Sequence, residues 1–216
     1  MTNKFTLSAL AFGMLVSSQA FAASNVTLNV TGTITPVACT PTLSGGGAIN
    51  YGSISTSDLS ETARTTLDKK SLDLTVDCAG ATAPFAIRAV DNAMDSTLDL
   101  NNGAIFGLGK QGTNNIGQYT LSMQGTAQGD GSNVITMRSI NGGKNWTTAN
   151  GIDPTVIVHG GILYAYGENT SSTAPKPLST LVTQLDIEPV IAPLNTLDTT
   201  TNFNFAGSAT LIVEYL

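Results

Sequence analysis

The chain offers few residues whose types and spacing suit enzyme chemistry. His159 is the only histidine among 216 residues, and no G-x-S-x-G motif accompanies it to supply the nucleophile of a hydrolase triad. One histidine and two cysteines cannot hold zinc without several carboxylates. The carboxylates leave a glycosidase pair open as an alternative, but no feature distinguishes one. The sequence therefore predicts no catalytic residue, no metal site and no cofactor, and a protein that is not an enzyme.

One glycine-rich run matches a cofactor motif by letter. Residues 107–112 (GLGKQG) fit G-x-G-x-x-G, which binds dinucleotide phosphates when it opens a helix in a βαβ unit. The residues that follow include Thr113, Asn114 and Gly117, which favour turns rather than a helix. We therefore predict a glycine-rich loop and no nucleotide site.

Three aromatic residues of the middle region are candidates for ligand binding. Exposed aromatic rings beside polar loops stack on sugars, and Trp146, Tyr164 and Tyr166 lie among such loops. The alternative is that these rings pack in the core or against loops, and we favour this interpretation. A carbohydrate-binding surface in the middle loops stays open at this point.

The first 22 residues are typical of a secretory signal peptide. Lys4 is their only charged residue, residues 5–16 are mostly apolar, and Ala20 and Ala22 fit the small-residue cleavage pattern. The apolar run is too short to span a bilayer. We expect the mature protein to begin at Ala23 and to be exported.

Both cysteines, Cys39 and Cys78, lie after this leader. An exported protein with an even number of cysteines is expected to oxidise them. A metal pair or a redox C-x-x-C motif would need closer spacing or further ligands. We predict a structural disulfide, and closing a loop of about 40 residues contributes roughly 4 kcal/mol in the chain-entropy model.

Composition and patterning favour a β-rich protein that does not bind nucleic acid. Charged residues make up 11% of the chain, the formal net charge is −6 and the pI is near 4.5. These values, with no basic cluster, argue against nucleic acid and anionic membrane surfaces. Candidate strands in the middle region are 104–108, 118–123, 133–138, 155–159 and 162–166. Short strands separated by Asn-Gly turns predict a Greek-key sandwich.

Both ends of the mature chain alternate between side-chain types. In the N-terminal segment, Val26, Leu28 and Val30 alternate with polar residues, and Gly32 separates them from the next strand. The last strand has two parities, Ala209, Leu211, Val213 and Tyr215 against Thr210, Ile212, Glu214 and Leu216. Both parities contain apolar residues, so the pattern alone does not tell which side faces inward.

In their order, these features resemble the subunits of chaperone–usher pili, of the type 1 pilin-like kind. In that family a signal peptide precedes a short alternating extension, a first strand of the form G-x-I-x-x-x-x-C, a second cysteine and a last strand with a penultimate tyrosine. The matching residues here are Gly32, Ile34, Cys39, Cys78 and Tyr215. The resemblance covers residues 23–78 and 203–216, and the middle region carries no motif of the family.

The resemblance implies an all-β fold, an immunoglobulin-like Greek-key sandwich over residues 32–216 that lacks its last strand. Residues 23–31 would then be a donor-strand extension with Val26, Leu28 and Val30 as its inward side chains. The acceptor groove and chaperone-binding strand would carry Ala209, Leu211, Val213 and Tyr215. The fold would be completed by donor-strand exchange with a neighbouring subunit.

The resemblance also implies a function and a set of partners. The protein would be a structural subunit of a cell-surface fimbria, and its length favours a minor or tip-proximal position. Its partners would be a periplasmic pilus chaperone, an outer-membrane usher and neighbouring fimbrial subunits, reached by export through the periplasm to the cell surface. The alternative is a fimbrial adhesin that binds a host carbohydrate or surface receptor through the middle loops.

Overall fold

The computed structural model describes residues 25–33, 38–149 and 155–216. The chain divides into two units, Met1–Thr35 and Pro36–Leu216, and each is described by itself. The predicted signal peptide, the first two residues of the predicted extension, and Ile34 lie outside the described residues.

In the first unit, residues 25–33 form neither strand nor helix. We predicted a short amphipathic strand here, and this is wrong for the described residues. A segment becomes a strand only when a neighbour pairs with its backbone. The three apolar side chains, Val26, Leu28 and Val30, are 96%, 85% and 87% exposed. The segment therefore exposes apolar side chains at alternate positions.

The second unit is all-β, as predicted. Within its described residues the only helical segments are short 3₁₀ turns at Ser44–Gly47, Thr56–Asp58, Met94–Ser96 and Leu194–Thr196. The strands are β1 (Thr40–Leu43), β2 (Thr65–Thr66), β3 (Lys70–Asp77), β4 (Phe85–Asp91), β5 (Phe106–Gly107), β6 (Lys110–Gln111), β7 (Asn114–Asn115), β8 (Gly117–Met123), β9 (Thr126–Gly129), β10 (Ser132–Ser139), β11 (Thr147–Thr148), β12 (Thr155–Val156), β13 (Leu163–Gly167), β14 (Thr180–Ile191) and β15 (Ala209–Tyr215). None of the described helical segments is long and apolar enough to cross a membrane.

Thirteen of these strands form one large antiparallel sheet, whose main path is β1-β3-β14-β9-β10-β13-β4-β15. The long strand β14 organises the path. One of its edges pairs with β3, and the other pairs with β9 and then with β8. The strands β2, β5, β8, β11 and β12 pair off the main path, and β6 with β7 forms a separate hairpin. β1 and β15 are therefore the two ends of the path.

Alternation along the strands places one face of the sheet in the core. In β3, Leu74 and Val76 are buried while Asp73 and Asp77 are exposed, and Cys78 continues the buried series. The largest fully buried side chains include Tyr164 and Tyr166. These two tyrosines therefore belong to the core.

The predicted middle strands are confirmed where the apolar pattern is longest. The predictions 118–123, 133–138 and 162–166 correspond to β8, β10 and β13, whereas 104–108 and 155–159 contain only two strand residues each. No strand was predicted over residues 40–43, where β1 forms. β1 was missed because it is short and contains Pro41, which a central strand excludes.

The predicted glycine-rich loop at residues 107–112 is confirmed only in part, because Gly107 ends β5 and Lys110–Gln111 form β6, and no helix follows it. It connects β5 to the β6–β7 hairpin, and Gly112 has a φ of +61° in the hairpin turn. Gly107 is required for packing, because a Cβ there would lie 2.0 Å from the carbonyl oxygen of Ala93. Gly107 and Gly112 are therefore explained by the local conformation and packing of the backbone.

Candidate functional site

The last strand, β15, has a partner on one edge only. It pairs antiparallel with β4 from Ala209↔Asp91 to Tyr215↔Phe85. No other strand in the described part of the chain pairs with β15. A strand edge without a partner leaves a row of backbone donors and acceptors that another chain can bind.

The hydrogen bonds at both ends of β15 show which backbone groups are left free. Leu216 N donates to Pro84 O, and Asn92 N donates to Ser208 O. In an antiparallel pair the residues that bond to the partner alternate with those that point away from it. The residues whose N–H and C=O groups point away from β4 are therefore Ala209, Leu211, Val213 and Tyr215.

The side chains of these same residues turn toward the core face. Ala209, Leu211 and Val213 pack against the main hydrophobic cluster. The residues between them face the opposite side, where the guanidinium of Arg88 forms an ion pair with Glu214. The structure thus shows that Ala209, Leu211 and Val213 face the core, a point that the sequence pattern left open.

An apolar groove of about 390 Å³ lies beside this edge. One rim runs along residues 205–211 and the other along Leu43 and residues 47–51. The floor consists of side chains from β3, β8 and β14. Its apolar and aromatic members are Leu72, Tyr119, Leu121, Leu185, Ile187 and Pro189. Leu121 and Leu185 are almost fully buried, so the groove opens directly onto the core.

The second rim begins at the disulfide. Cys39 and Cys78 are bonded, with their Cα atoms 3.9 Å apart, which confirms the predicted bridge. The bridge continues the pairing register of β1 with β3, in which Thr40 lies opposite Asp77. The bridge therefore holds β1, a strand whose only partner in the described residues is β3, at the edge of the sheet.

The open edge of β1 has fewer hydrogen-bonding groups than that of β15. Cys78 N donates to Ser179 O, so Cys78 directs its N–H toward β14, and Asp77 and Thr75 direct theirs toward β1. The backbone of Cys39, Pro41 and Leu43 therefore faces the open edge. Proline has no N–H, and the N–H of Cys39 is already bonded.

The acceptor for Cys39 N–H is the hydroxyl of Tyr215. This hydrogen bond joins the two ends of the sheet path, because Tyr215 ends β15 and Cys39 precedes β1. The cavity lining ends at Leu211 on one rim and at Leu43 on the other. The hydrogen bond between Cys39 and Tyr215 thus connects the two rims at the disulfide end, and at the other end the rings of Tyr51 and Phe205 pack against each other with their centres 6.1 Å apart.

Gly207 lets the chain pass close to the groove floor just before β15. A Cβ at this position would lie 2.6 Å from a ring carbon of Tyr119 and 2.8 Å from the carbonyl oxygen of Gly107. Burial, with Asp91 nearby, raises the pKa of the Tyr119 phenol, so its ring is neutral floor surface at physiological pH.

The aromatic residues that suggested sugar binding are placed mostly in the interior. The Tyr164 hydroxyl accepts from Val158 N and donates to Val156 O, and burial raises the pKa of both Tyr164 and Tyr166. Trp146 is half-buried, and its Nε1 donates to Gly143 O. Two of the three rings therefore present no surface for stacking.

His159 and two of the carboxylates have structural partners. The His159 ring packs edge-on against Phe106 with the ring centres 5.3 Å apart. Asp91 is buried and accepts from Gly107 N and Ala93 N at 2.9 Å, and Asp95 pairs with Lys110. No group of three or more potential metal ligands occurs among residues 25–33, 38–149 and 155–216.

Asp99 gives a prediction for the pH dependence of stability. Arg64 binds both of its carboxylate oxygens, and Gln118 Nε2 donates to it at 2.7 Å. These hydrogen bonds, chiefly those from Arg64, lower the pKa of Asp99 from 3.8 to about 2. A carboxyl group whose pKa is lower in the folded state stabilises that state at pH values above its unfolded pKa. This stabilisation is lost as the pH falls from about 4 to about 2.

We therefore expect the Tm to fall over that pH window, and to fall less steeply for Asp99→Asn, which does not ionise. Thermal unfolding at a series of pH values measures both slopes. Asp95 and Asp130, whose pKa values are also lowered, remain in both proteins, so the difference between the slopes reports Asp99. Equal slopes would show that the Arg64 contact does not affect folding.

The chain is similar to two proteins of Escherichia coli (strain K12). It is 29% identical over 239 residues to the uncharacterized protein YhcF, covering 94% of this chain and 98% of YhcF. It is 31% identical over 90 residues to the protein GltF, covering 40% of this chain but only 35% of GltF. Residues 28–133 match a family model described as a protein of unknown function, DUF1120. That match includes both cysteines and ends before β15.

Proposed function

We propose that the protein is a structural subunit of a cell-surface fimbria, assembled through the chaperone–usher pathway by donor-strand exchange. The single observation that carries this proposal is the unpaired edge of β15 lying along an apolar groove. An immunoglobulin-like Greek-key sandwich that lacks its last strand would leave such an edge and such a groove. The all-β fold and the disulfide are consistent with it.

A strand from another protein would satisfy both features at once. Its backbone would pair with the free N–H and C=O groups of β15, and alternate side chains would fill the groove. In strand addition the backbone bonds supply affinity and the alternate side chains supply specificity. Without such a strand, the open edge and the apolar surface favour aggregation.

The segment at residues 23–31 is the proposed donor. Its three apolar side chains, Val26, Leu28 and Val30, are exposed at alternate positions. Burying them would contribute roughly 5–9 kcal/mol before the cost of ordering the segment. A periplasmic chaperone would occupy the groove first. At the outer-membrane usher, the extension of the next subunit would replace it.

The alternative function, a fimbrial adhesin for a host glycan or receptor, has less support from the structure. Its motivation was the group of aromatic residues in the middle region, and Tyr164 and Tyr166 are buried. The length of the mature chain still favours a minor or tip-proximal subunit. We therefore place the function in assembly rather than in ligand binding.

A peptide-binding measurement tests the proposal. The mature protein carrying Leu28→Asp, so that its own segment does not compete, is immobilised at low density to prevent aggregation through its open groove. It is then titrated with a peptide of residues 23–31. We expect the peptide to bind, and a matched peptide with Leu28→Asp to bind at least about tenfold more weakly, because a buried charge costs more than the lost apolar contact. Equal binding of the two peptides would contradict the donor role.

A further inference from the structure

The groove is closed at one end by a residue of the last strand. Tyr215 accepts a hydrogen bond from Cys39 N, and Cys39 is held in turn by its disulfide to Cys78. The cavity extends along residues 205–211 but is not lined by Val213 or Tyr215. An incoming strand thus finds open space beside Leu211 and a bridge between the rims beyond it.

The two rims favour one orientation of that strand. β15 offers a full row of donors and acceptors, whereas the open edge of β1 has no N–H at Pro41 and a bonded one at Cys39. The incoming strand therefore pairs mainly with β15. Antiparallel pairing is slightly more stable than parallel pairing, so its N-terminal end points toward Tyr215.

We propose that the side chain of Tyr215 is an end stop that limits insertion of the segment 23–31 from a second copy of this chain. This inference rests on the proposed function. The segment has three apolar side chains at alternate positions, Val26, Leu28 and Val30, which span about 14 Å in an extended strand. Ser24 precedes them in the same parity and Gly32 follows. The apolar series therefore stops at Ser24 on one side, which is polar, and at Gly32 on the other, which is small.

Two peptides of residues 23–33 distinguish the Tyr215 end of the groove from the opposite end. Ser24→Val adds a fourth apolar side chain at the end that meets Tyr215, and Gly32→Val adds one at the opposite end. Both are titrated onto the mature protein carrying Leu28→Asp, immobilised at low density to prevent aggregation. Three forms of it are compared: Tyr215 intact, Tyr215→Phe to remove the hydrogen bond, and Tyr215→Ala to remove the ring. Tyr215 is 51% exposed, so neither substitution opens a core cavity.

With Tyr215 intact, we expect Ser24→Val to leave the Kd within about twofold of the parent peptide, because its added side chain meets the stop. In at least one Tyr215 variant the same peptide should bind about tenfold more tightly than the parent peptide, the gain expected for burying one more valine. The effect of Gly32→Val should be the same in all three proteins.

Two results would overturn this inference while leaving the proposed function in place. One is a tenfold gain from Ser24→Val with Tyr215 intact, and the other is no gain in either Tyr215 variant. If instead the parent peptide binds none of the three proteins, the proposed function fails and the end stop fails with it. Amide exchange of Leu211 and Val213 in the complex provides the register independently, since protection should end before Tyr215.

Discussion

Replacing Cys39 and Cys78 together with alanine is expected to lower the free energy of unfolding of the mature protein by about 2–4 kcal/mol. The bridge closes a loop with a sequence separation of 39, so its loss returns conformational entropy to the unfolded chain. For a domain of this size the Tm should fall by roughly 5–15 °C. Urea unfolding and thermal unfolding under oxidising conditions measure the two quantities.

The loss of stability should affect the β1 rim of the groove most strongly. β1 has four residues, of which the first three are exposed, and its only partner strand in the described residues is β3. Without the bridge β1 should fray, and the peptide of residues 23–31 should bind more weakly. A reducing agent provides the control, since it should destabilise the wild-type protein and leave the double variant unchanged. A double variant as stable as the wild type would show that the bridge does not hold the rim.

Features that depend on local pattern could be predicted from the sequence. The alternation in β3 placed Leu74, Val76 and Cys78 inward, and the run at residues 209–215 formed the predicted last strand. The disulfide followed from the cysteine count once export was inferred. In each case neighbouring residues carry the signal, because a half-buried strand repeats every two residues.

Features that depend on distant partners could not be predicted. The inward parity of β15 is set by its register on β4, where Glu214 reaches Arg88 on the outer face. The bond between Tyr215 and Cys39 joins residues 176 positions apart in the sequence. β1 and β9 are short, and their pairing with β3 and β10 defines them more than their own composition does. No local signal reports such contacts.

Donor-strand complementation in one chain should produce the largest change in stability. We expect residues 32–216 alone to be poorly soluble, because the groove and the edge of β15 stay open. Adding residues 23–31 after Leu216 through a short polar linker should give a soluble monomer. An antiparallel neighbour of β15 begins near the end of that strand, so a short connection suffices.

The gain should reach about 10 °C or more in Tm, since three apolar side chains become buried and the edge becomes paired. Leu28→Asp within the fused segment is the matched control. It keeps the linker, the length and the remaining sequence while placing a charge at the centre of the groove. This variant should behave like the chain without the segment.

Soluble yield and Tm, compared among these three proteins, show whether the fold needs a donor strand. We expect residues 32–216 to aggregate, the fused segment to produce a stable monomer, and Leu28→Asp to abolish the gain. If residues 32–216 alone are already soluble, monomeric and as stable as the fused chain, then the fold is complete without a donor strand. That result would contradict the assignment of this protein to fimbrial assembly.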